Sequence, residues 1–263
     1  MLEYIGYACA VVIGLVLGLM GGGGSILTVP VLVYLMGYSP VTAAAYSLFI
    51  VGTTSTFGTL KNIRNNQVEI RTGLIYAVPS LIGVFVARKF IVPAIPHMLF
   101  ENAHIAITKD IFLMVLFAIV MFFSGVSMLR RKPEEDSSEQ EDRSQILMLI
   151  KIFFAGILVG LVGAGGGFLF IPLLVYVAKL PIKKAIATSL LIIAINSLTG
   201  FTGDLDHTVI NWIFLFTFTL FSIIGIFAGM FLNKFVNDTN LTKGFGIFVL
   251  LMAVFIFVNE VLI

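Results

Sequence analysis

The residues in this chain best placed to do chemistry are two short runs of glycine. The first, Gly18-Leu-Met-Gly-Gly-Gly-Gly-Ser25, leads to Pro30; the second runs from Gly160 to Gly167 and leads to Pro172. A glycine run acts through its main chain, because no side chain screens its N–H groups. A helix that starts just after one presents unpaired amides and the positive end of its dipole, a combination that favours a small anion. Ser47, Val51, Thr54, Ser55, Gly58 and Asn62 recur at helical spacing downstream of the first run and would add neutral hydrogen-bond donors on one face.

A constant shift of 142 positions lays the first run on the second without a gap: Gly14, Gly18, Gly21, Gly23, Gly24 and Pro30 fall on Gly156, Gly160, Gly163, Gly165, Gly166 and Pro172. The match continues through Leu32, Val33 and Tyr34, and the hydroxyl stripe maps onto Ser189, Ile193, Asn196, Ser197, Gly200 and Asp204. The chain is a duplication. The candidate binding residues are Gly21, Gly22, Gly23, Gly24, Ser25, Ser47, Thr54 and Ser55 in the first half. In the second half they are Gly163, Gly165, Gly166, Gly167, Ser189, Asn196 and Ser197, with Tyr46 and Thr53 as weaker candidates. Each has a plainer reading. Glycines in apolar helices let helices approach, and serine and threonine commonly bond back to their own backbone. Four contiguous glycines exceed a packing need, and a buried asparagine requires partners.

With 59% hydrophobic residues, 11% charged residues and 25 phenylalanines, the chain is an all-α integral membrane protein. Its single cysteine, Cys9, excludes an internal disulfide and a cysteine metal cluster. His97 and His104 lack a supporting carboxylate or thiol, so no metal and no cofactor are expected. Asp204, Asp206 and His207 stand at a helix end, where they could handle a proton coupled to transport. The apolar start of the chain carries Glu3 and no early lysine or arginine, and its counterpart from Ile152 is internal, so it belongs to the mature fold rather than to a cleaved signal.

Residues 4–37 would make a helix of about 50 Å, well beyond a hydrocarbon core of about 30 Å. The expectation is a helix to Met20, an unwound glycine loop and a second arm from Ser25 to Met36. Helices are then expected over Val41–Leu60, Thr72–Phe90 and Lys109–Leu129, followed by a hydrophilic linker over residues 130–146. The second half repeats the plan, with a run broken at Gly163–Gly167, a second arm from Gly167, and helices over Ile182–Thr202, Val209–Leu232 and Leu241–Val258. The expected domains are residues 1–129, the linker and 147–263.

If each broken run crossed the membrane once, the 16 lysines and arginines would divide eight and eight between the faces, against the usual excess of positive charge inside. If each run is a hairpin, Lys179, Lys183, Lys184, Lys234 and Lys243 change sides and the division becomes thirteen and three. The charges select two inverted-topology repeats of five helical elements each, with both termini outside and the linker in the cytoplasm. The two glycine turns would then meet near the midplane from opposite sides.

The paired G-x-x-G-G-G-G-S-x-x-x-x-P and G-x-x-G-A-G-G-G-x-x-x-x-P segments, each followed by a serine-bearing helix (Ala-Tyr-Ser-Leu, Ala-Thr-Ser-Leu), resemble the TauE/SafE (TSUP) family of sulfite exporters. The resemblance covers nearly the whole chain. It implies transport of small sulfur-containing anions such as sulfite, sulfoacetate or thiosulfate, or of other organic anions, in a cell inner membrane. One departure is Gly22 against Ala164 between the two loops. The residues show no nucleophile–base pair and no metal-hydrolase motif, so the expectation is not an enzyme but a secondary transporter with alternating access. An anion channel of the same architecture is the second reading and a membrane assembly subunit the third. The partners expected are a small anion and the lipid bilayer, with no nucleic acid.

Overall fold

The computed structural model describes residues 2–102, 105–130, 145–163 and 165–261. The linker expected at 130–146 falls almost wholly outside the described residues, as do His104 and Ala164. Helix α1 (Leu2–Met20) stops at the first glycines, and α2 (Gly23–Pro30) continues as a π-helical turn over Val31–Leu35. A proline ring cannot donate to the helix ladder, and a widened turn after Pro30 accommodates the lost bond. The second arm therefore begins at Gly23, two residues earlier than expected, because only Gly21 and Gly22 leave helical geometry.

Helix α3 (Pro40–Arg64) starts with proline at its first turn and Ser39 as cap, the Ser39 Oγ accepting from Thr42 N–H at 3.3 Å. Helix α4 (Ile70–Val86) runs through a π-helical turn, Ala87–Ile91, into the short α5 (Val92–Ala94). The connection beyond it is not irregular throughout. Met98–Asn102 (β1) and Ile105–Thr108 (β2) pair antiparallel, Glu101 opposite Ala106, a small hairpin in an otherwise helical chain. Then follow α6 (Lys109–Arg130), α7 (Gln145–Val162), α8 (Gly167–Tyr176), α9 (Ile182–Asp204), α10 (Trp212–Asn233) and α11 (Asp238–Val261).

Among the described residues, five apolar helices are long enough to cross a membrane: Ile70–Ala94, Lys109–Arg130, Ile182–Asp204, Trp212–Asn233 and Thr239–Glu260. The polarity is inside out. Phe123, Leu220 and Leu251 point outward, while Ser47, Thr54, Ser55, Ser189 and Ser197 are buried between helices. This is the distribution of a multi-pass, all-α membrane protein.

Glycines carry the helix–helix packing. A Cβ added to Gly14 or Gly18 of α1 would strike the Ser222 or Ile226 carbonyl of α10, and one on Gly225 or Gly229 would strike Val11 or Leu15 of α1. The equivalent pair repeats this, with Gly156 and Gly160 of α7 against Ser80 and Val84 of α4. Close backbone approach of this kind replaces the hydrophobic drive that lipid does not supply.

The same contacts give directions. Rising numbers in α1 meet rising numbers in α10, so the two are parallel. Helix α3 runs against α9, with Leu48 near Gly200, Gly52 near Ser197 and Gly58 near Leu190. Helix α4 runs with α9, from Gly73 beside Thr188 to Gly203 beside Arg88. The elements that the 142-residue shift makes equivalent, α3 and α9, thus run in opposite senses. Lys184 Nζ lies 2.6 Å from Glu69 Oε1, and Glu69 N–H donates to Thr188 Oγ1 at 3.0 Å, so the turn after α3 and the start of α9 share one face of the bundle.

Gly225→Leu or Gly229→Leu should wedge α1 from α10 and cost roughly 1–3 kcal/mol. Gly244→Ala, which meets only Met20 Cε at 3.9 Å, should be neutral or slightly stabilising. Thermal unfolding in detergent checks both, and equal effects of the two substitutions would refute the packing role.

Candidate functional site

The first helix break is built by Gly21 at φ 72°, which turns the chain, and by Gly22, which caps α2. Helix α2 then folds back along α1, since a Cβ on Gly24 would lie 2.6 Å from the Ile13 carbonyl and one on Gly23 would lie 2.7 Å from Val16. Gly23 and Gly24 therefore close the hairpin. Ser25 Oγ donates to the Gly22 carbonyl at 2.7 Å and so fixes the break from within. The second break is more open: Gly163, Gly165 and Gly166 have φ of 72°, 64° and 77°, a left-handed region that glycine enters without strain.

The two breaks touch. A Cβ on Gly22 would lie 2.6 Å from Phe168 N, and one on Gly167 would lie 2.6 Å from Ile193 and 3.3 Å from the Gly21 carbonyl. The starts of α2 and α8 thus converge. Each has amides with no partner in its own helix and about half a positive charge.

Helix α9 runs beside both breaks. Ser189 Oγ would meet a Cβ on Gly21 at 2.7 Å, and Ser197 Oγ would meet one on Gly165 at 2.7 Å, with Ile193 between them. Ile193 is the middle residue of α9, and Gly52, the middle residue of α3, lies against Ser197. The breaks therefore meet halfway along the two helices that flank them. From α3, Ala44 packs on Gly163 and Val51 on Gly165.

The hydroxyl stripe divides in its bonding. Ser189 Oγ donates to the Ile186 carbonyl at 2.8 Å. The Ser47, Thr54, Ser55 and Ser197 hydroxyls, all in fully buried residues, find no hydrogen-bond partner among the described residues. An unpaired buried hydroxyl costs about 1–3 kcal/mol, and these four, three on α3 and one on α9, leave donors for a guest. Asn196 turns elsewhere: its Nδ2 donates to Ser80 Oγ of α4 at 2.8 Å, and Ser80 Oγ donates to the Tyr76 carbonyl at 2.6 Å. The equivalent pair, Thr54 and Ser222, leaves both hydroxyls unpartnered among the described residues.

Asp206 and His207 are exposed at the end of α9, whereas Asp204 is buried. Its Oδ2 accepts from Arg88 Nε at 2.8 Å and lies 2.6 Å from Arg88 Nη2, and the Arg88 side chain is 0% exposed. Arg88 is the residue that pattern reading passes over. Its signal was an arginine close behind an apolar run, four residues after Val84, where a charge calls for a partner.

A cavity of about 680 Å³ lies on the face that carries the Lys184–Glu69 pair, reaching in to Gly18, Ile186 and Ala187. The Ile186 carbonyl would meet a Cβ on Gly21 at 2.9 Å, so this cavity ends at the first break. A larger one, about 880 Å³, lies between α6, α7 and α8, lined mainly by apolar side chains such as Phe123, Leu158 and Leu169. Lys151 and Lys179 also line it, but it touches neither break.

Paired breaks at mid-helix in a lipid-facing bundle mark a protein that passes solutes across a membrane. The chain matches the family described as "Sulfite exporter TauE/SafE" over residues 6–256 and belongs to it. It is similar to a protein of Xylella fastidiosa (strain Temecula1) named "Probable membrane transporter protein", 28% identical over 251 residues that cover 93% of this chain and 90% of that one. It is also similar to "Probable membrane transporter protein YunE" of Bacillus subtilis, 28% identical, covering 79% of this chain and 81% of the relative. No solved structure matches it. The chain is a membrane transporter of the TauE/SafE family.

Arg88→Met alone strands the buried Asp204 carboxylate and should cost about 3–5 kcal/mol, while Arg88→Met with Asp204→Asn should recover most of that loss. Thermal unfolding of the three proteins tests the pair; a double variant no more stable than Arg88→Met would show that the two side chains are not coupled.

Proposed function

We propose that this chain is a secondary transporter of a small oxyanion, with sulfite, sulfoacetate or thiosulfate as the leading substrates, and that the anion binds where the two glycine breaks meet. The observation that carries this reading is the convergence of two helix starts on touching glycines. Two positive helix ends brought together in an apolar bundle repel each other, and an anion beside them relieves the repulsion. Gly23, Gly24, Gly165 and Gly167 offer backbone amides, since the Gly21 and Gly22 N–H groups already bond the Leu17 and Met20 carbonyls, and Ser47, Thr54, Ser55 and Ser197 offer hydroxyls. Asn196 supports the site by holding α9 to α4.

The opposed α3 and α9, and the shared face of residues 69 and 184, support two inverted-topology repeats, 1–129 and 147–263, with the linker 130–146 on the cytoplasmic side and both termini outside. A cavity that approaches the breaks on one face, with a buried ion pair on the other, suits a carrier that exposes its site to one side at a time. It does not suit an open pore.

Proteoliposomes preloaded with unlabelled sulfite should take up radiolabelled sulfite against its gradient by counterflow, and Gly22→Leu should abolish this because the new side chain would occupy the place of Gly167. No flux of any sulfur oxyanion or small organic anion, or flux indifferent to Gly22→Leu in a folded protein, would count against the reading. In a Cys9→Ser background, Lys132→Cys and Lys183→Cys should react with an impermeant maleimide from the same side of the membrane. Reaction from opposite sides would overturn the inverted repeat.

A further inference from the structure

The 142-residue shift also maps one end of the bundle onto the other, and the two ends differ. On the face that carries the Lys184–Glu69 pair, Asn62 and Met230 line the cavity of about 680 Å³. Their equivalents on the opposite face are Asp204 and Arg88, and both are buried. The Arg88 guanidinium bonds Asp204 and also reaches the Val41 carbonyl at 3.5 Å, where Val41 is the equivalent of Lys183. One end of a duplicated framework is plugged by an ion pair. The other is open and lined by Lys61, Lys183 and Lys234, which come from the end of α3, the start of α9 and the residue after α10.

We propose that this cavity is a second binding site for a small oxyanion, a vestibule in which Lys61 and Lys234 gather the anion before it passes to the break at Gly21. The proposal rests on the transport reading above. Lys61 and Lys234 bring ammonium groups from two separate elements into one cavity, and no carboxylate is among the described residues that line it. The remaining polar lining, Asn62, Asn65 and Gln67 among it, offers amide N–H donors, which suit an oxyanion. Glu69, the nearby acid, is engaged by Lys184 at 2.6 Å, outside the lining. A concave, low-dielectric wall carrying charge of one sign concentrates ions of the other and speeds their arrival. The inner end of the cavity, at Gly18 and Ile186, abuts the first break, so an anion held by the lysines is one step from the converging helix starts.

The test is sulfite uptake into proteoliposomes containing the full chain, measured at low and at physiological salt. Lys61→Gln with Lys234→Gln, both exposed positions that the fold does not need, should raise the half-saturating sulfite concentration about tenfold at low salt with little change in maximal rate. The difference should shrink as salt is raised, because screening weakens the attraction. Lys61→Arg with Lys234→Arg should keep the parent value, as should Lys243→Gln, an exposed lysine outside the cavity. Half-saturation within about twofold of the parent at low salt would overturn the vestibule while leaving transport intact. Absence of sulfite flux in the parent itself would instead bring down the transport reading, and the vestibule with it.

Discussion

Two polypeptide turns can touch inside a membrane protein only if the carbons at the point of contact carry nothing but hydrogen. That constraint governs this molecule. Gly22 and Gly167 approach so closely that a methyl group on either would overlap the other's backbone. Replacing either loop with an ordinary turn would push α2 and α8 apart and separate the two helix starts. The same condition recurs away from the breaks, where Gly14, Gly18, Gly225 and Gly229 let α1 and α10 pack backbone to backbone. Glycine thus sets both how the bundle closes and where its unpaired amides are left.

A duplicated framework need not have duplicated chemistry. Asn196 and Ser80 form a bonded pair, while their equivalents Thr54 and Ser222 do not meet as a bond, because a threonine side chain lacks the reach of an asparagine. Arg88 and Asp204 fill one end of the bundle, while their equivalents Met230 and Asn62 line a cavity at the other. The second break carries three left-handed glycines and the first only one. Equal backbones with unequal side chains give a molecule whose two faces are distinguishable. A carrier needs such a difference if its resting state is to favour one side.

Much of the architecture was legible in the residues. The position of each break, the order of ten helical pieces with α4 and α5 taken as one, and the start of α6 at Lys109 and of α9 at Ile182 follow from glycine runs, prolines and apolar length. The charge distribution led to hairpins, and the pairing of Glu69 with Lys184 agrees with that choice. The site was legible in part. Ser189 and Ser197 do stand against Gly21 and Gly165, as the helical stripe implied. Asn196, three residues from Ile193 on the same helix, turns to α4 instead, and Asp204 is buried where a helix end would ordinarily be solvated. The hairpin at Met98–Thr108 and the resumption of α2 at Gly23 were also out of reach, since each turns on one or two residues of marginal preference.

What the sequence determined alone was therefore local: which segments are apolar enough to enter lipid, where the backbone must leave the helix, and that the two halves share a plan. These depend on a residue and its near neighbours, and their effects add along the chain. Only the tertiary structure decided which polar groups found partners. Arg88 and Asp204, 116 positions apart, bond because α4 and α9 run side by side in the same sense. Ser47 and Ser197, buried on facing helices, find no partner among the described residues. A hydrogen bond depends on separation through space to within a fraction of an ångström, and in this bundle that separation is set by how closely the glycines let the helices approach.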